Sequence, residues 1–148
     1  MKIVYIHGAT ATGESFNYIR SQMPGDDLVL EYNSRDGFDN NFNRMIKELD
    51  HLDQMFFICH SLGGIYALHL ADYFRDRVLG AVTLSTPYGG AEMADYAKYF
   101  YFFSQLLRDI GPKSRPMRQA HKIKIEWPWT NVVTTKGSAP WILEDLSL

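Results

Sequence analysis

The passage from Gln54 to Phe74 restricts this chain more than any other. Gln54 to Cys59 is nearly continuous apolar sequence, as expected of a strand buried on both faces of a parallel sheet. Leu62 to Phe74 is apolar around most of a helical circumference, which calls for a helix sandwiched between other layers. Only His60 and Ser61 separate the two. The strand must turn sharply into the helix there. A Ser at such a corner sits in strained backbone, its hydroxyl at the carboxyl edge of the sheet. Neighbouring chain passes close by, so the positions two before and two after the Ser must be small; here they are Cys59 and Gly63. The helix beginning at the corner directs its first N–H groups and its dipole at the space in front of Ser61.

The rest of the chain repeats that alternation. Ile3–Ile6, Leu28–Tyr32, Leu79–Leu84 and Thr130–Thr135 read as further strands. Ser15–Met23 and Phe38–Leu52 read as helices, the second amphipathic through Phe42, Met45, Ile46 and Leu49, with Asp39 as its N-cap. Short strands alternating with helical segments predict an α/β fold, a mostly parallel sheet flanked by helices. With 148 residues, 46% of them hydrophobic and 22% charged, a single globular domain is expected. A formal net charge of −2 gives no global positive field for nucleic acid. The single Cys59 cannot form an intramolecular disulfide, and His7 and Gly8 interrupt the N-terminal apolar run before a signal-peptide core forms. No apolar run approaches the roughly 20 residues of a membrane span. These features point to the cytoplasm. There is no Cys pair, no zinc-like His spacing and no Gly-rich phosphate loop, so no metal or other cofactor is expected.

The junction Ile58-Cys59-His60-Ser61-Leu62-Gly63-Gly64 resembles the nucleophile elbow of the α/β-hydrolase family, on its lipase and esterase side. Two further motifs follow strands in the same order. His7-Gly8-Ala9-Thr10 is similar to the family's oxyanion loop, and Ser85-Thr86-Pro87-Tyr88-Gly89-Gly90 to the Thr-Pro-His-Gly-Gly turn of many bacterial lipases. Together they cover residues 1 to about 90. The resemblance implies Ser61 as nucleophile and the backbone N–H groups of Ala9 and Leu62 as oxyanion donors. Cys59 replaces the first elbow Gly, Tyr88 replaces the His of the lipase turn, and Ala9 stands where a bulkier residue is common. The chain begins at what would be the family's third strand.

In this family the triad runs Ser, then Asp or Glu, then His, the acid following the strand that Thr130–Thr135 matches. After that strand the sequence offers Glu144 and Asp145, with Asp145 the candidate acid, and no His. The resemblance therefore implies a missing piece of the fold, with the base supplied by a longer chain or a partner subunit. Within the chain there are five histidines. His60 diverges from its neighbour Ser61, His7 holds the oxyanion loop, and His51 and His69 lie on helices. His121, in a basic segment of unconstrained position, is the in-chain alternative, slightly ahead of His7.

Residues 91–128 read as a lid or cap. Tyr96, Tyr99, Phe100, Phe103, Leu106, Leu107 and Ile110 form one helical stripe, which packing on a sheet explains. Tyr101 and Phe102 lie off that stripe and fit a lid over an acyl pocket or a subunit interface. Residues 111–128 read as irregular. Arg108, Lys113, Arg115, Arg118, Lys122 and Lys124 form a basic cluster that fits a solvated loop or docking to anionic headgroups. The expected activity is hydrolysis of a carboxylic ester or lipid, with homodimerisation through the aromatic helix or the exposed last strand. The competing reading is a non-catalytic hydrolase-fold module that binds an acyl ligand or a protein.

Overall fold

A computed structural model describes residues 1–89, 111 and 113–133. The aromatic segment 91–110, Arg108 and Asp145 lie outside the described residues. Five strands form one wholly parallel sheet in the order β2-β1-β3-β4-β5: β1 Lys2–Ile6, β2 Asp27–Leu30, β3 Met55–His60, β4 Val78–Leu84 and β5 Trp129–Val132. Among the described residues the α-helices are α1 Asn17–Gln22, α2 Phe38–Leu49, α3 Leu62–Phe74 and α4 Arg115–Ala120. The expected α/β architecture is what the chain adopts.

Alternation along the strands sends side chains to opposite faces. Val4, Ile6, Phe57, Cys59 and Ala81 join the main core with α2, α3 and Met117 of α4. Tyr5 and Ile58 face the other way and pack with Phe16. Ten of the thirteen α3 residues are buried, as its uniform apolarity requires. Among the described residues no helix is long and apolar enough to cross a membrane.

Three local expectations differ from the structure. The helix read over 15–23 opens instead as a 3₁₀ turn, Gly13–Phe16, before α1. There the Gly13 N–H donates to Glu31 Oε1 at 2.8 Å and the Phe16 ring packs 5.1 Å from Tyr5, so tertiary ties set the local form. Asp39 does not cap α2. The helix begins at Phe38 after Gly37, whose φ of 84° suits glycine, and Asp39 pairs with Arg115. Residues 115–120, read as irregular, form α4. The Ser114 side chain caps it by accepting the Met117 N–H, and Pro116 occupies its first turn.

Candidate active site

The chain order sends β2 to one side of β1 and β3 to the other. The loops leaving β1 and β3 therefore diverge at the carboxyl edge, where open parallel sheets form their crevices. In-register pairing of Ile6 with Cys59, Cys59 with Thr83 and Thr83 with Asn131 delivers three loops to that edge. They begin at His7, Ser61 and Ser85.

Ser61 stands between β3 and α3 with φ 50° and ψ −121°. A non-glycine residue in that region costs on the order of 1–3 kcal/mol and persists only where the surroundings enforce it. The enforcement is visible. The Ser61 N–H donates to Leu84 O at 2.9 Å, and its carbonyl accepts from Gly64 N at 3.0 Å. A Cβ on Gly63 would lie 2.7 Å from His7 O and closer still to Ile6 O, so only glycine lets α3 start this near β1. A Cβ on Gly64 would collide with the Thr86 side chain in the same way. Thr10 and Ser85, also at positive φ, follow β1 and β4, so three of the four described non-glycine residues at positive φ lie on this edge, the fourth being Arg75 at the end of α3.

The β1 loop passes over the serine: a Cβ on Gly8 would sit 3.2 Å from Ser61 Cβ and 2.8 Å from His60 Nδ1. Thr10 N–H donates to Ser34 Oγ at 3.1 Å, and Ala11 N–H reaches Gly8 O at 3.3 Å. The Ala9 N–H between them has no acceptor among the described residues. Leu62 opens α3, and the first helical N–H has no intrahelical acceptor. Ser61 itself is 7% exposed.

Three of the five histidines are engaged elsewhere. His7 is fully buried, with Nδ1 2.8 Å from Gly8 O and its ring stacked on Tyr32. His69 Nε2 lies 3.0 Å from Pro116 O with its ring edge-on to Phe38, and His121 Nε2 lies 2.7 Å from Tyr88 O. Burial and the nearby His7 push the His60 imidazole below its ordinary range. His51 is exposed beyond the end of α2. None of the five is hydrogen-bonded to Ser61. Burial pushes the Cys59 thiol up, which suits a packing role.

Tyr88 is a structural residue. Its hydroxyl donates to Thr83 Oγ1 at 3.2 Å and accepts from Trp129 Nε1 at 2.9 Å, tying the turn after β4 to β5. The sequence did not single out Glu31, Tyr32 and Ser34, which bond to the β1 loop. Their signal was topological: they leave β2, the neighbour of β1. Of the basic cluster, Arg115 is paired with Asp39, while Lys113, Arg118, Lys122 and Lys124 are exposed.

No family model and no curated protein matches the chain. Solved structures do match. One is a monoacylglycerol lipase of Paleococcus ferrophilus, with TM-score 0.57 and 17% identity over 89% of this chain and 72% of that one. Another is an extracellular α/β-hydrolase of a Paenibacillus species, with TM-score 0.57 and 15% identity over 91% of this chain and 78% of that one. A carboxylesterase of Nitrososphaera gargenis matches with TM-score 0.52 and 18% identity over 67% of this chain, which spans 42% of its length. The chain has the α/β-hydrolase fold, shared at low identity with lipases and esterases.

Proposed function

We propose that this chain is a serine hydrolase of carboxylic esters with Ser61 as nucleophile. The observation that carries the reading is the serine at φ 50° on the strand-to-helix corner, with Leu62 opening α3 next to it and the β1 loop passing close to it at Gly8. Ser61 Oγ attacks the ester carbonyl carbon while a base takes its proton. The carbonyl oxygen becomes an oxyanion that accepts from Ala9 N–H and Leu62 N–H, in the field of the α3 N-terminus. Collapse of this intermediate breaks the bond to the alkoxy oxygen, which leaves with the base's proton, and water then hydrolyses the acyl-serine. The substrate is a small ester or lipid with an apolar acyl group. No metal or cofactor takes part, and the reaction belongs in the cytoplasm.

The base is a histidine from outside these 148 residues, because the five present are not hydrogen-bonded to Ser61. Asp145 is the candidate acid, and a second copy of the chain meets this one through the aromatic segment or the β5 edge. The test is p-nitrophenyl butyrate hydrolysis in rising imidazole, which supplies the absent base. Turnover above that of Ser61→Ala, growing with imidazole, supports the proposal; identical rates for the two proteins overturn it. The second reading, a non-catalytic module for an acyl ligand or protein, is favoured by the same placement of the histidines, and identical rates would leave it standing.

A further inference from the structure

The proposed chemistry needs the Ala9 N–H to point at Ser61, and we infer that His7 is the positioning residue that aims it; the inference rests on the hydrolase reading. The Gly8 carbonyl and the Ala9 N–H belong to one planar trans peptide and point in opposite directions. Whatever holds the carbonyl therefore sets the direction of the N–H. His7 Nδ1 lies 2.8 Å from Gly8 O, and a carbonyl can only accept, so Nδ1 carries the proton.

The imidazole itself is held on every side. Its ring stacks on Tyr32 with centroids 4.3 Å apart and planes 6° from parallel. Nε2 faces the Tyr32 N–H at 3.4 Å and Glu31 Oε2 at 3.2 Å. Nε2 thus has both a donor, the Tyr32 N–H, and an acceptor, Glu31 Oε2, within reach. Tyr32 closes the circuit by donating its hydroxyl to His7 O at 2.9 Å. Its ring in turn meets Tyr66 of α3 edge-on at 5.0 Å, and Tyr66 stacks on Phe38 of α2 at 4.4 Å. A column of four rings thus runs from the oxyanion loop into the helical layer. Glu31 anchors the other end of the loop through Gly13 N–H. The His7 side chain thus acts through one bond to the Gly8 carbonyl, which also accepts from the Ala11 N–H at 3.3 Å.

Asn presents its amide nitrogen where His presents Nδ1, whereas Phe keeps the ring and its stacking without the donor. The test compares His7→Phe and His7→Asn with the wild type in two readouts. The first is nuclear magnetic resonance: the ¹⁵N signals of the wild-type His7 ring and the exchange rate of the Ala9 amide. The second is the rate of Ser61 phosphonylation by a fluorophosphonate in fixed imidazole. The inference expects the Nδ1–H tautomer and faster Ala9 exchange in His7→Phe. It also expects about a 100-fold loss of phosphonylation, the scale of one oxyanion donor, with His7→Asn recovering to within about tenfold. An Nε2–H tautomer overturns it without any variant, even if His7→Phe fails to fold. Equal losses in the Phe and Asn variants overturn it too, because they indicate packing alone. Wild-type protein that never labels refutes the hydrolase reading instead, and the tautomer and Ala9 exchange then decide the role of His7 separately.

Discussion

Replacing Gly63 by Ala adds one methyl group at the most crowded point of the site. The new Cβ would lie 2.7 Å from His7 O, and nearer to Ile6 O, where ordinary contact begins at 3.4 Å. Both neighbours are backbone of β1 and its exit, fixed by in-register pairing of Ile6 with Cys59 and Leu30. Neither can swing aside as a side chain would. Relieving the closer clash, with Ile6 O, takes a retreat of the α3 N-terminus by more than about 1 Å, and displacements near 1 Å cost about 10²-fold in a positioned reaction. Overpacking of this kind destabilises by about 3 kcal/mol, a melting shift of roughly 6–12 °C for a chain of this size. Gly25→Ala is the control, since its Cβ meets nothing within 4 Å. Thermal melts of both variants, with phosphonylation rates in imidazole, make the assay. Gly63→Ala that melts with the wild type and labels at the same rate would refute the close approach of α3 to β1.

Ser61→Gly, unlike Ser61→Ala, relieves the positive φ and should raise stability by about 1 kcal/mol while abolishing labelling; paired thermal melts of the two variants check this. Burial pushes the Tyr88 hydroxyl up to about 12, so the folded state holds a proton that the unfolded chain releases near pH 10. Stability is then fully present below about pH 10 and declines as pH rises toward 12; denaturant titrations should show less of this decline in Tyr88→Phe, which also leaves Trp129 Nε1 unpaired at about 1–3 kcal/mol. Val132, half exposed on the edge strand β5, is a contact in the proposed dimer. Val132→Lys should shift sedimentation toward monomer at concentrations where the wild type associates, and unchanged sedimentation would dismiss that edge.

The strand-to-helix corner was legible because two uniformly apolar segments with two residues between them admit few geometries. Leu62–Phe74 was read to the residue for that reason. The helix bounds that shifted did so under tertiary control. Gly13–Phe16 tightened because Glu31 holds Gly13, and Asp39 was drawn to Arg115, 76 positions away, instead of capping α2. The cap at Ser114 followed by Pro116 was a local signal for α4 that the run of basic residues obscured. The braces on the oxyanion loop were not legible. Glu31, Tyr32 and Ser34 gain meaning only when β2 lies beside β1, and single-sequence periodicity does not fix strand order.

Whether Ser61 faces a preformed oxyanion site is read from mass-spectrometric mapping of its fluorophosphonate adduct. An oxyanion hole and binding alone still accelerate such attack by about 10³–10⁴ over water. A single adduct is expected, on Ser61, forming slowly without added base and faster as imidazole is raised. Adducts spread over other hydroxyls, or formed at the same rate in Ser61→Ala, would contradict it.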